Sequence, residues 1–485
     1  MCVAIAGATG FVGRALLNRL AGRARVVGLS RNAERAVAGT PADLGVQWRE
    51  ANLFSLLDTE RALRGVDIAV YLVHSMLPPA RLTQGSFRDL DLLLADNFAR
   101  AAASCGVRRI VYLGGIIPRE GPLSEHLESR LEVERALGRT GVPVTALRAG
   151  LVIGERGSSF RILERLVRRL PVMVCPSWMR VPTQPVALED LLRVLDGVIF
   201  DDETAGVTSD VAGPDVITYL ELVRRTALAM GREPRLVPVP FVSPGLSKLW
   251  VSAITGVSHD LVAPLVQSLR MEMLASDTRL QERFGAGTIG MDAALRAAMA
   301  GGPHARARRA VAQKASTSTA ARREALRTTN PQADRSVCSV QRLPLPAGWD
   351  AEQVASAYAR WLPRALRPLM RVELSAEESV MAFRMLPLSS PLLTLTRAAD
   401  RSDDTRQLFY ITGGLLADTH RSLRGRLEFR AFDELECSLA AIHEFTPRLP
   451  WWLYTVTQAK VHLWVMSRFR SALRKRRLEL PGGSG

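Results

Sequence analysis

Lysine is nearly missing from this sequence. Of 64 basic residues in 485, four are lysines (Lys248, Lys314, Lys460, Lys475), and the rest are arginines spread along the chain. The net charge of +16 is therefore a matter of residue usage throughout, as a GC-rich coding bias would give, and it does not mark a polyanion site. Basic residues cluster at 304–327 and 468–477, but without the interleaved aromatics of a single-strand platform. No nucleic-acid partner is expected. Cysteine is scarce as well. Cys2, Cys105, Cys175, Cys338 and Cys437 lie far apart, odd in number and without a C-x-x-C pair. That argues against a disulfide framework or a metal site and for a reducing, cytoplasmic compartment. With a strand pattern starting almost at Met1, no secretory leader is expected. Long unbroken apolar runs are also lacking. PRLVPVPFVSPGLSKLWVSAITGV is interrupted by Pro240, Pro244 and Lys248, and LPWWLYTVTQAKVHLWVMSRFRSALRKRR by Gln458, Lys460 and His462. Neither suits a bilayer-spanning helix.

What is present is ample core material, 47% hydrophobic with 23% charged, in a chain long enough for two or three domains. Composition divides it into zones. Residues 1–300 alternate short apolar runs with amphipathic helical stretches, the pattern of an α/β domain with a parallel sheet. Residues 301–335 offer almost nothing to bury and read as a flexible basic linker. Residues 336–477 are rich in strand-like segments: ESVMAFRML, LLTLTRAA, RQLFYITGGLL, GRLEFRAF and ECSLAAIHEF. A helical stretch over 352–371 precedes them, another over 450–475 closes the zone, and 478–485 form a tail. No internal repeat is visible.

The opening MCVAIAGATGFVGRALLNRL is the most informative stretch. A buried strand, Val3 to Ala6, runs into Gly7-Ala8-Thr9-Gly10-Phe11-Val12-Gly13 and then into a helix with Leu16, Leu17 and Leu20 inward. Gly7 permits a tight turn, Gly10 lets the backbone approach a diphosphate, and Gly13 lets helix and strand pack closely. The helix N-terminus, with unpaired N–H groups and a positive dipole end, favours the negative charge of a nicotinamide dinucleotide. The second strand ends at Leu29-Ser30-Arg31. A carboxylate there would suit NAD(H); Arg31 suits a 2′-phosphate, so NADP(H) is favoured over NAD(H).

These residues and those that follow resemble the NmrA-like atypical short-chain dehydrogenase/reductases, a group that includes the NADPH-binding accessory subunit of respiratory complex I. The resemblance spans roughly 1–300 and implies a Rossmann-type doubly wound sheet with a smaller substrate lobe. GATGFVG matches the glycine turn. In REANLFS, Asn52-Leu53 stands where the family has Asp and an apolar residue beside the adenine. DIAVYLVHSM matches the fourth strand, whose end, Val73-His74-Ser75, would pass along the cofactor. GVRRIVYLGG matches the fifth strand, HLESRLEVERALGRTGVPVTALRAGLVIG the active-site helix and sixth strand, and TQPVALEDL and DVAGP the substrate-side segments. Reductases of this superfamily use a Ser after the fifth strand and Tyr-x-x-x-Lys on the next helix. Here the strand ends Leu113-Gly114-Gly115, His126 holds the tyrosine position and Arg130 the lysine position. Arg130 can still hold ribose hydroxyls, and His126 can in principle act as acid or base, with a pKa that the adjacent cation would depress. Two readings of the pair stay open: a rebuilt catalytic set acting on an apolar carbonyl, quinone or lipid-like substrate, or a cofactor-holding face in a non-catalytic redox sensor or assembly factor.

Other candidates are weaker. Glu189 and Asp190 are expected to cap a helix, and Tyr112 to sit in the core. The zone 336–477 resembles α+β START-type helix-grip domains, in which an antiparallel sheet wraps a long C-terminal helix over an apolar ligand. Trp451, Trp452 and Tyr454, with the basic cluster that follows, suit a peripheral contact of 450–477 with an anionic membrane, placing the protein at the membrane's inner face.

Overall fold

The computed structural model describes residues 1–74, 82–239, 270–300, 336–366, 368, 370–375, 379–385, 387–419 and 424–479. Ser75, the linker 301–335, the interrupting Pro240, Pro244 and Lys248, and tail residues 480–485 lie outside them. The first half runs β1 (Cys2–Ala6), α1 (Phe11–Leu20), β2 (Arg25–Ser30), α2 (Ala33–Ala38), β3 (Gln47–Glu50), α3 (Leu56–Leu63), β4 (Ile68–Tyr71), β5 (Leu82–Gln84), α4 (Phe87–Ser104), β6 (Arg109–Gly115), α5 (Glu125–Gly138) and β7 (Val144–Ala149). It continues through β8 (Val152–Ile153), α6 (Ser158–Arg169), β9 (Val172–Pro176), β10 (Pro182–Thr183), β11 (Val186–Ala187), α7 (Leu188–Phe200), β12 (Thr208–Val211), β13 (Ile217–Thr218), α8 (Tyr219–Ala229) and β14 (Arg235–Val239).

Seven of these strands form one parallel sheet in the order β12-β7-β6-β4-β1-β2-β3. The strands are short apolar runs such as CVAIA and IAVY, buried at every position, as a sheet covered on both faces requires. Alternation sends Val70 and Val111 to the face covered by Leu16 of α1 and Leu191 and Leu195 of α7. Their neighbours Tyr71 and Tyr112 face the other way, where Tyr71 meets Phe98 of α4 and the Tyr112 hydroxyl donates to the Arg130 carbonyl of α5. The sheet is thus wound on both sides, and its order reverses between β1 and β4, where such sheets open a crevice. A smaller lobe has its own core of Phe160, Leu163 and Val167 from α6, with Tyr219 and Leu222 of α8 and Leu295 of the helix Met291–Ala300. The segments TQP and AGP clasp each other below it: Gln184 Nε2 donates to the Gly213 carbonyl (2.8 Å), and Gly213 N–H to that of Pro185 (3.0 Å).

The second unit carries an eight-stranded mixed sheet. Its strands are β5, β15 (Val337–Pro344), β16 (Met370–Leu374), β17 (Val380–Met385), β18 (Leu393–Arg397), β19 (Arg406–Gly413), β20 (Arg426–Phe432) and β21 (Cys437–Phe445), in the order β16-β17-β18-β19-β20-β21-β15-β5. All pairings are antiparallel except β15 with β5. On one face the helices Ala351–Ala365 and Gln458–Glu479 bury Val354, Tyr358, Leu362, Met466, Phe469 and Leu473 against the sheet.

Three boundaries differ from the sequence expectation. The helix expected over 352–371 begins behind an Asp350/Gln353 capping box and ends at Ala365, and Met370–Leu374 is a strand. The closing helix is two helices, Trp451–Val456 and Gln458–Glu479, parted at Thr457 (φ −116°, ψ −86°). Compact units comprise Met1–His74 with Asp91–Thr317, and Ser75–Leu90 with Ser318–Gly485, so a single cut near residue 300 does not describe the division. The cause is β5, whose three residues pair with Val337, Cys338 and Ser339 of β15.

Candidate functional site

Each glycine of the opening turn answers a different constraint. Gly7 has φ +88°, and a Cβ on it would come within 2.9 Å of the Leu72 carbonyl oxygen at the end of β4. Gly10 donates its N–H to the Gly7 carbonyl (2.9 Å) and caps α1 without a side chain over the first-turn amides. A Cβ on Gly13 would lie 2.3 Å from the Gly7 oxygen and 2.8 Å from Ala8 Cα, so α1 meets the turn after β1 backbone to backbone. The amides of Phe11, Val12 and Gly13 thus open α1 with no intrahelical partner, beside exposed Thr9 and Gly10. The side chains of Phe11 and Val12 are otherwise engaged. A Cβ on Gly154 would lie 2.6 Å from the Phe11 ring, and Val12 packs on the sheet core.

At the adenosine end, Arg31 is exposed just past β2. The Ser30 hydroxyl shapes that turn, accepting from Asn32 N–H (3.2 Å) and donating to the Asn32 carbonyl (3.0 Å). Asn52 Oδ1 accepts from Phe54 N–H (3.2 Å), so part of its carboxamide serves the local turn. Leu53 is buried, and its carbonyl accepts from Asn97 Nδ2 (2.8 Å).

At the opposite end of the crevice, α5 starts at Ser124, whose hydroxyl accepts from Leu127 N–H (3.3 Å). One turn apart on this helix, His126 and Arg130 meet the end of β4. Arg130 Nη1 donates to the Val73 carbonyl (3.4 Å), and the His126 ring meets the His74 ring edge-on at 5.1 Å. His74 Nδ1 is 2.5 Å from Asp91 Oδ2, on a carboxylate that is 1% exposed. A carboxylate only accepts, so Nδ1 of His74 carries the hydrogen. Asp91 escaped the sequence reading; the trace it leaves is an acid inside the apolar run Leu90–Leu94 of α4.

Burial first, then the Arg130 charge and then His74, push the His126 pKa down to about 3. Burial and Arg130 likewise lower His74, against the opposing pull of Asp91. His126 is therefore neutral near pH 7, and its buried Nδ1 has no hydrogen-bond partner among the described residues. Tyr112 is core: fully buried, its pKa raised to about 12 chiefly by burial. Glu189 and Asp190 do not cap α7. Glu189 pairs with Arg19 (2.5 Å), and buried Asp190 accepts from the Ile289 N–H (2.9 Å), because both lie past the N-cap residue Ala187.

A parallel sheet with a glycine turn at its switch point defines a nicotinamide-dinucleotide-binding class, and comparison with known proteins agrees. The model of the NAD(P)H-binding family matches residues 7–167. The (4-alkanoyl-5-oxo-2,5-dihydrofuran-3-yl)methyl phosphate reductase of Streptomyces griseus is 30% identical over 235 residues, 48% of this chain and 75% of that protein. The mitochondrial NADH-ubiquinone oxidoreductase 40 kDa subunit of Neurospora crassa is 24% identical over 237 residues, 48% of this chain and 61% of that one. Among solved structures, the triphenylmethane reductase of Citrobacter sp. shares the fold, with a TM-score of 0.50 and 20% identity over 62% of this chain and all of that one. The chain spans 36% and 61% of the length of two of the curated relatives it matches. It belongs to the NAD(P)H-binding, NmrA-like atypical short-chain dehydrogenase/reductases.

Proposed function

We propose that this protein is an NADP(H)-dependent reductase of an apolar carbonyl, quinone or lipid-like compound, in which His126 and Arg130 do the work usually given to tyrosine and lysine. The observation that carries this reading is the half-buried cluster at the end of β4: His126 with an Nδ1 that no described residue satisfies, His74 held by Asp91, and Arg130 on the Val73 carbonyl. Gly7, Thr9, Gly10, Phe11, Val12 and Gly13 hold the diphosphate through the turn and the α1 amides. Arg31, exposed and in no ion pair among the described residues, is placed to meet a 2′-phosphate. A bound dihydronicotinamide supplies hydride. Neutral His126 donates a hydrogen bond to the substrate oxygen, the Arg130 charge stabilises the oxyanion that develops there, and a proton from solvent water completes the hydroxyl. Asp91 fixes the tautomer and orientation of His74, whose ring backs that of His126.

The test is loss of 340 nm absorbance on mixing reduced dinucleotide with a panel of apolar ketones and quinones. Reduction of at least one compound is expected, faster with NADPH than with NADH. His126→Ala should lower the rate about 100-fold while leaving dinucleotide affinity within about threefold. Arg31→Ala should erase the NADPH preference. No oxidation across the panel, or a His126→Ala rate equal to the parent's, would refute the catalytic assignment. A second reading has its own support. Gly114-Gly115 at the end of β6 offers no hydroxyl and the tyrosine is absent, which suits a dinucleotide-binding sensor or assembly factor. Tight binding without multiple turnover would favour it.

For the second unit, the order β16 to β21 followed by β15, around a long C-terminal helix, supports a helix-grip ligand-binding reading. Tyr358, Phe429, Trp361 and Phe469 stack between helix and sheet, so an apolar ligand entering there must displace aromatic rings. Mass spectrometry of small molecules released from the purified protein tests this. The cysteine usage, five widely spaced residues without a C-x-x-C pair, supports a cytoplasmic setting.

A further inference from the structure

The helix Gln458–Glu479 is apolar on two faces. Its inner stripe, Ala459, Val465, Met466, Phe469 and Leu473, lies in the core of the second unit. Its outer stripe presents Val461 and Trp464 to water at 55% and 45% exposure, next to Trp452 and Val456 of the preceding helix at 69% and 53%. A helix packed on a globular core normally turns polar side chains outward. Here the outward side chains include two indoles.

The charge around them has one sign. No Asp or Glu occurs from Phe445 to Leu478, whereas Lys460, Arg468, Arg474 and Lys475 are all exposed. Among the described residues none of these four forms an ion pair. The Arg468 guanidinium lies 5.1 Å from the Trp464 ring centroid, joining cation and indole in one surface. Two of the chain's four lysines fall on this helix. We propose that this face docks on the surface of a lipid bilayer bearing anionic headgroups. Trp452 and Trp464 enter the interfacial layer, and the cations meet the headgroup phosphates. The contact is peripheral, since no helix among the described residues is long and apolar enough to cross a membrane. A second copy of the chain is a poorer occupant, because two-fold pairing of this face would set its uncompensated cations against one another.

Co-sedimentation of the full chain with phosphatidylcholine vesicles, with and without phosphatidylglycerol, tests the proposal. Binding is expected only to the phosphatidylglycerol vesicles and should weaken as salt rises. The double variant Trp452→Ser/Trp464→Ser should bind about tenfold less, with an unchanged thermal midpoint to show that the fold is intact. The proposal is overturned if the double variant binds as the parent does, or if neither vesicle is bound. Light scattering that shows a dimer dissolved by the same substitutions, with no vesicle binding, overturns it in favour of a second copy.

Discussion

At the scale of single residues, this protein keeps several histidines uncharged by burying them. Burial takes His126 to about 3, with Arg130 and His74 adding to the effect, and takes His462, whose Nε2 is 3.0 Å from the Ser339 hydroxyl, to about 4. His443 lies near 3, again chiefly through burial and then through Arg426. All three sit below the ordinary 6.5 that they regain on unfolding. A depressed folded-state pKa gives stability that is complete above the unfolded value and is lost as pH falls toward the folded one. Urea midpoints should therefore hold near neutrality and decline steadily from about pH 6.5 to about pH 4. His462→Gln, which can keep the bond to Ser339, should make that decline shallower. A flat profile would mean that these side chains become hydrated in solution. The depressed pKa of His126 was foreseeable from Arg130 one turn away, but its larger cause, burial, was not. Nothing in LSEHLESRLEVER shows which side chain the end of β4 will cover.

At the scale of elements, the two halves differ in what anchors them. In the first unit Arg109 is 2% exposed although it sits in a parallel strand. Its guanidinium donates to the carbonyls of Asp201 (2.6 Å) and Ile199 (3.2 Å) and to the Thr204 hydroxyl (3.1 Å), closing the C-terminal end of α7 onto β6. The Ile199 carbonyl lies in the last turn of α7, whereas that of Asp201 also accepts from the Thr204 N–H (3.3 Å) and hydroxyl (2.7 Å). Arg109→Ala would remove the guanidinium's bond to the Ile199 carbonyl and one of the donors to Asp201, and should cost about 1–3 kcal/mol in denaturant unfolding, with dinucleotide affinity unchanged. In the second unit the anchor is Glu428. Burial opposes its ionisation, but Arg430, Arg406 and Arg426 outweigh it and hold the carboxyl well below the usual range. Sequence pattern reached β17 to β21 because each is a run of five or more residues rich in apolar, aromatic or β-branched side chains. It could not reach β16, MRVEL, or β5, LTQ, where a few residues pair on a sheet whose other strands supply the burial. GRLEFRAF read as strand-like, with Arg426, Glu428 and Arg430 alternating along one face. In the fold that face is buried, because the charges satisfy one another.

At the scale of the whole molecule, the least legible feature is the placement of residues 82–90. The chain leaves the first unit after His74 and returns to it at Asp91, and these two residues are hydrogen-bonded to each other at 2.5 Å. Between them it belongs to the second unit. There β5 pairs with β15, Gln341 Nε2 donates to the Gln84 carbonyl (3.1 Å), and Arg342 Nε donates to Asp89 Oδ1 (2.6 Å). A linear reading divides a sequence once, in the polar stretch 301–335, and has no means of seeing that a three-residue strand within the first 100 residues pairs with one beyond residue 336. That hold is testable within the second unit. Arg342→Ala removes a partner of the buried Asp89 carboxylate and should cost about 1–3 kcal/mol in denaturant unfolding, with dinucleotide affinity unchanged. Arg342→Lys, which retains the charge without the guanidinium, should recover part of the loss. Equal urea midpoints in all three proteins would show that the backbone pairing of β5 with β15 is hold enough.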